Sequence, residues 1–402
     1  MRYFLIVLLL VAAPLAAQDL AKLTAELNEK YSALEAGDVE GRRDLAKWCA
    51  ARKMRISERR LHLEIIKLAP DDQPARKALG HVFDGEKWHE SEDAMHLAAG
   101  KQRGLQQWAS PTEGLTQLHE HWLTAEELKQ LETGEPLRAH KGKGWLEVLT
   151  REYRVWSELK ESETLELARM LEQAIRGWRD DITKPYEAGK AWTLEVRILK
   201  THNDYVAMVK DDIETFHPDL AKSHGFFDGR ACWGSYFDSP YRTRRIFLHE
   251  ARHQFDMCIA GTFMHQPAWY REGTAEFWSV HEWDGKTLRM GVLNSENNEH
   301  LHFLQKITRR KKLKGAEATL KGGWEGDVDP EFYQQSWAFI YYLRNSAHTE
   351  AWRRWEAELL AGKLPDEGKR TEAFKKQVTE DLKAFDKAYT ETTTKWAATY
   401  GE

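Results

Sequence analysis

The stretch RRIFLHEARHQFDMC, residues 244–258, carries two histidines four positions apart, with a glutamate directly after the first. Ile246, Phe247, Leu248, Ala251, Phe255 and Ile259 give it apolar flanks, so it is predicted to be a buried helix. Positions i and i+4 of a helix project from one face, so His249 and His253 can hold one cation between them. Glu250 then sits beside that cation, where a carboxylate can deprotonate a water. The dipeptide His-Glu recurs at His89, His119 and His281, but none of these has a histidine four residues on. A third ligand decides whether 249–253 is a metal site or one more polar helix.

A catalytic zinc takes three protein ligands and keeps one position open. The candidate third ligand is Glu272 in QPAWYREGTAEFW, residues 266–278, with eighteen residues between it and His253. That gap fits a first helix ending near Ala260 and Gly261, a loop from Thr262 to Gln266, and a second helix from Pro267, since proline is favoured at a helix start. Gly273 is expected to permit close approach to the first helix. Glu276, one turn after Glu272, is expected to accept the outer N–H of a zinc-bound histidine and fix its tautomer. His265 and His281 are rival ligands. The His-x-x-Gly-x-x-His spacing of metzincins is absent, because position 256 is Asp and 259 is Ile.

Outward from this site, the chain is 402 residues long and 42% hydrophobic, enough for one large or two ordinary domains with real cores. The net charge is -5 with both signs interspersed, so no global field argues for nucleic acid. The opening MRYFLIVLLLVAAPLAAQDL has a basic residue, an apolar run and small residues at Ala16 and Ala17, the layout of a cleaved signal peptide over residues 1–17. The uncharged run is short for a membrane span of roughly 20 residues. An exported protein, periplasmic or extracellular and without a span after cleavage, is the expectation. Cys49, Cys232 and Cys258 are odd in number, which excludes a fully paired framework; Cys232 with Cys258 is one possible pair, and buried or idle thiols the other.

From Leu20 to about Gly80 the apolar spacing is helical, broken at Gly37-Asp38 and at Pro70-Asp71-Asp72. LHLEIIKLAPDDQPARKALGHV resembles the second helix of a tetratricopeptide-like repeat, its proline turn and the next helix, without a fixed period. The resemblance implies a partner-docking surface; a helical spacer is the alternative. Signals are mixed from about Gly85 to Lys143, and GEPLRAHKGKG, residues 134–144, reads as a connector. After it, WLEVLTREYRVWSEL reads as strand, ESETLELARMLEQAIRGWRDDI as helix, KAWTLEVRILKT as strand, NDYVAMVKDD as a short helix and ACWGSYFD as strand. This is an α+β plan. The basic run KITRRKKLKG, residues 306–315, reads as a solvated face. No P-loop, Rossmann glycine pattern or G-x-S-x-G is present.

H-E-x-x-H followed by Glu272 in W-x-x-E-G-x-A-E resembles the gluzincin metallopeptidases, particularly the aminopeptidase N-like branch. The chain is also similar to a group of exported bacterial proteins with a gluzincin-type domain behind a helical N-terminal region. The shared blocks run from a GFFD-like segment at Gly225, through the metal helix and PAWYREGTAEFW, to YQQSWAFIYYL, and the resemblance covers roughly Trp145 to Gly362. It implies one zinc ion per chain held by His249, His253 and Glu272, with Glu250 as general base and Glu276 behind the ligands. It also implies a tyrosine that stabilises the tetrahedral oxyanion. Tyr333 matches by order in the chain, with Tyr341 and Tyr342 competing. ACWGSYFD is expected to be the edge strand that pairs with an extended peptide. The aminopeptidase motif G-A-M-E-N is missing, which favours an endopeptidase.

The expected architecture is therefore a signal peptide over 1–17, an all-helical, tetratricopeptide-like region over 18–140, and a gluzincin-like domain over 141–402 with a small sheet and a helical C-terminal part. The expected activity is hydrolysis of peptide or protein substrates. The alternative from another class is an exported binding or scaffold protein, with partner-docking N-terminal helices and a structural or vestigial metal site.

Overall fold

The computed structural model describes residues 14–105, 108–110, 114–141, 144–182, 194–214, 220–261, 266–293, 299–321 and 330–400. Residues 1–13 of the expected signal peptide, and His265, lie outside them. The chain is α+β and divides into two compact units, 1–125 with 203–223, and 126–202 with 224–402. Along the chain the first change of unit falls near residue 125, and residues 203–223 group with the N-terminal unit.

The N-terminal unit begins with α1 (Pro14–Ser32), α2 (Val39–Ala51), α3 (Arg55–Leu68) and α4 (Gln73–Ala78). The two sequence breaks are helix caps: Asp38 accepts from the Gly41 N–H, and Asp72 from the Ala75 N–H. Leu27, Leu45, Ala46, Cys49, Met54 and Leu61 form the core between the first three helices.

Beyond α4 the expectation of an all-helical region is corrected. Among the described residues of 82–123 there are three two-stranded antiparallel ribbons and one short helix. The elements are β1 (Val82–Phe83), β2 (Trp88–His89), α5 (Glu92–Ala98), β3 (Gln102–Arg103), β4 (Trp108–Ala109), β5 (Thr116–Leu118) and β6 (His121–Leu123). The first ribbon turns at Asp84-Gly85, a hairpin signal: Gly85 has φ +107, and Asp84 Oδ1 accepts from the Glu86 and Lys87 N–H groups.

The second unit opens with α6 (Ala125–Glu132), and then the stretch read as a connector supplies β7 (Leu137–Lys141). The stretch read as one strand is two, β8 (Leu146–Leu149) and β9 (Tyr153–Ser157), paired antiparallel. α7 (Glu161–Asp181) leads to β10 (Leu194–Leu199), parallel to β9. α8 (His202–Val209), nearly all of it in the N-terminal unit, follows in the chain, then β11 (Gly225–Phe227) and β12 (Ala231–Ser235) of the second unit. The sheet order is β11-β12-β10-β9-β8-β7. ACWGSYFD, expected at the edge, is thus an inner strand, parallel to β10 on one side and antiparallel to β11 on the other. The edge is β11, from the GFFD segment; its three residues are too few to show the alternation that marks a strand in sequence.

α9 (Pro240–Ala260) contains the opening stretch and is followed by α10 (Ala268–Ser279). Leu167, Leu171 and Trp178 of α7 join Val155 and Val196 of the sheet, and Phe247, Leu248, Ala251 and Phe255 of α9, in one core. A hairpin of β13 (His281–Trp283) and β14 (Leu288–Met290) precedes the remaining helices, α11 (Glu299–Arg309), α12 (Ala316–Leu320), α13 (Pro330–Arg344), α14 (Thr349–Leu360), α15 (Glu367–Gln377) and α16 (Leu382–Tyr400). Trp269 and Tyr270 of α10 share a second core with Trp337, Phe339 and Ile340 of α13 and Trp352 and Trp355 of α14. Among the described residues no helix is long and apolar enough to cross a membrane.

Candidate metal centre

α9 is built to hold one histidine pair. Ser239 caps its start, Pro240 occupies the first turn, and Gly261 ends it in the left-handed region at φ +71. His249 and His253 fall on one face with ring centroids 4.7 Å apart and planes at 86°. Phe247, Leu248, Ala251 and Phe255 take the opposite, sheet-facing side and fix the rotation of the helix.

α10 brings the third group. Nε2 of His249 and Nε2 of His253 are 3.1 Å apart, and each lies 3.3 Å from Glu272 Oε2. Among the described residues, His249, His253 and Glu272 are the group with metal-ligand geometry. Three donors held tetrahedrally at zinc distances of 2.0–2.2 Å sit about 3.3 Å from one another. The observed triangle therefore fits a zinc ion, and two imidazole nitrogens facing one carboxylate oxygen form a donor set that a divalent cation satisfies.

Burial and the neighbouring Glu272 and Glu276 push the Glu250 carboxyl up, against the two imidazoles. Burial also acts to raise Glu272, but His253 and His249 outweigh it and hold that carboxyl well below the usual range. Three carboxylates thus converge on two imidazoles.

Glu276 Oε1 lies 3.3 Å from Nδ1 of His249. Tyr333, in the first turn of α13, has its ring centroid 6.2 Å from that of His249. The charge of Glu272, then burial, raises its hydroxyl above the ordinary phenol range, so it stays a proton donor. The competing tyrosines point elsewhere: Tyr341 packs on Phe277, Trp337 and Trp396, and Tyr342 on Phe385 and Tyr389. His281 is buried away from the triangle. Its Nδ1–H donates to the Ser279 carbonyl, its Nε2 accepts from Arg244 Nε–H at 3.3 Å, and its ring stacks on Tyr241.

One expectation about the surroundings is corrected. Gly273 serves the approach of α10 to α13, not to α9: a Cβ there would lie 2.6 Å from the Ser336 carbonyl oxygen and 2.9 Å from Ile340 Cγ1. The close approach to α9 comes from the sheet, where a Cβ on Gly225 of β11 would meet Ile246 Cγ2 at 2.5 Å and Glu250 Cγ at 3.4 Å. Cys232 and Cys258 are both free thiols, and Cys232 Sγ–H donates to Gln254 Oε1 at 3.5 Å.

Three residues at the site carried no sequence signal that singled them out. Arg245 and His300 both reach Glu276 Oε2, at 2.7 and 2.9 Å, and Arg271 Nη2 lies 3.9 Å from Glu272 Oε1. Arg245 stands one turn before His249, a spacing that places it on the same face. His300 is in α11, and nothing local ties it to the metal helix. No protein-family model matches this sequence, and no curated protein matches it.

Proposed function

We propose that this chain is an exported zinc peptidase of the gluzincin type. His249, His253 and Glu272 are the ligands of one zinc ion, Glu250 is the general base, and Tyr333 donates to the developing oxyanion. The observation that carries the reading is the triangle of 3.1, 3.3 and 3.3 Å, with Glu250 on the same helix directly after the first ligand. The H-E-x-x-H pattern with a downstream glutamate, and its resemblance to gluzincins, support the same reading.

A bound zinc ion supplies an electrophile for a substrate carbonyl and lowers the pKa of water. The protein supplies the rest. The Glu250 carboxylate accepts a proton from the attacking water and returns it to the leaving amine, so one group serves as base and then as acid. The Tyr333 hydroxyl, held in its protonated form, donates to the oxygen on which negative charge builds.

The test is cleavage of a peptide library by the mature protein and by Glu250→Gln. The wild type is expected to cleave internal bonds, and the variant to lose about 10²- to 10⁴-fold in rate while keeping its zinc. Equal cleavage by the two proteins would remove Glu250 from the mechanism. No cleavage by a zinc-loaded wild type would favour the scaffold reading.

A further inference from the structure

The Glu276 carboxylate is shared between a candidate ligand and a clamp. Oε1 faces Nδ1 of His249 at 3.3 Å. Oε2 accepts from Nη2–H of Arg245 at 2.7 Å and lies 2.9 Å from Nε2 of His300. Nη2 of Arg245 and Nε2 of His300 are themselves 2.9 Å apart, so the three groups close a triangle on the far side of the carboxylate. The clamp is drawn from separate elements. Arg245 is one turn before His249 on α9, Glu276 is on α10, and His300 is on α11 with no exposed surface. The His300 ring stacks on Trp337 of α13 at 4.8 Å and 22°, which fixes its plane, and Arg245 Nη1 also reaches Glu299 Oε2 at 3.4 Å.

A carboxylate is planar, so holding Oε2 sets where Oε1 points. A glutamate otherwise turns broadly about its last side-chain bond. A metal-bound imidazole needs its second nitrogen held by such a partner, and the partner's orientation sets the ring's.

We infer that Arg245 and His300 are positioning residues that act on His249 through Glu276 and so set the zinc affinity of the site. The inference rests on the metal-centre reading above. It is tested with zinc alone, by chelator competition on the full chain. The proteins compared are the wild type, Arg245→Met, His300→Leu, Glu276→Ala, and the doubles that combine each of the first two with Glu276→Ala. Each single variant is expected to bind zinc about 10- to 100-fold more weakly. Each double is expected to be no weaker than Glu276→Ala alone, because the clamp has nothing left to hold.

A purely structural role would not produce that lack of additivity. Losses that multiply in the doubles, or unchanged affinity in both Arg245→Met and His300→Leu, would overturn the inference. His300→Gln, which keeps an N–H donor, guards against a folding defect: it is expected to stay near the wild type, and a loss equal to that of His300→Leu would overturn the inference too. A wild type that binds no zinc would sink this inference together with the metal reading. Zinc binding by the wild type and by all the clamp variants alike would sink this one only.

Discussion

A Cβ placed on Gly273 would lie 2.6 Å from the carbonyl oxygen of Ser336, backbone against backbone. Glu272, the candidate third ligand, is the neighbouring residue, so the contact that seats α10 on α13 also sets the height of the metal site. Gly273→Ala is expected to push the two helices apart, lowering stability by about 1–3 kcal/mol and weakening zinc binding. Urea denaturation and chelator titration check both. A variant as stable as the wild type, with unchanged affinity, would mean that the approach of these helices does not govern the site.

Tyr333→Phe removes a hydroxyl and little else. On the proposed mechanism kcat falls by about 10²- to 10³-fold with KM, zinc content and fold retained. Steady-state kinetics on one defined peptide substrate suffice. An unchanged kcat would assign oxyanion stabilisation to another group.

Arg344 holds two carboxylates, the half-buried Asp181 and the buried Glu356, with Nη1 donating to Asp181 at 2.5 Å and Nη2 donating to Glu356 Oε1 and Oε2 at 2.8 and 2.9 Å. Tyr270 of α10 joins them through its hydroxyl, which donates to Glu356 Oε1 at 3.0 Å. The cluster ties the metal-site helices to α7 and α14. Arg344→Met strands Glu356 and leaves Asp181 with Arg353 Nη2 at 3.3 Å as its remaining cation, and a loss of about 3–5 kcal/mol is expected in chemical denaturation. A loss below about 1 kcal/mol would show that the acids are relieved by protonation or water.

His281 gives the fold an acid sensitivity. Burial, then Arg244 and Arg245, push its imidazole down to about 4, although the bond to the Ser279 carbonyl acts the other way. The unfolded chain takes up a proton below about pH 6.5 that the folded chain refuses until about pH 4. Stability therefore declines as pH falls through that window, by at most about 3 kcal/mol from this group. His281→Gln is expected to lose less in Tm between pH 7 and pH 4.5 than the wild type. Equal losses would place the acid sensitivity elsewhere.

How much of this was legible in the sequence depended on how local each feature is. The end of α9 was readable because a glycine marks it, and the i, i+4 histidines because helix geometry puts them on one face. Glu272 and Glu276 were readable from the spacing of one helix after another. The β8–β9 hairpin was not, because its turn has no glycine, proline or asparagine. Thr150 makes it instead, its Oγ1 accepting from the Tyr153 N–H at 2.8 Å while its own N–H donates to the Tyr153 carbonyl at 2.8 Å. The place of β12 inside the sheet depended on which strand covers it, a long-range fact that no periodicity records. The clamp on Glu276 was hidden for the same reason, since His300 meets Arg245 only in the folded chain.

The central claim is that His249, His253 and Glu272 hold one zinc ion. The direct measurement is the metal content of the purified mature protein by elemental mass spectrometry, beside Glu272→Ala. One zinc per chain in the wild type, lost or much weakened in the variant, is the expected result. A wild type that neither carries zinc nor takes it up at neutral pH would contradict the metal centre and everything built on it.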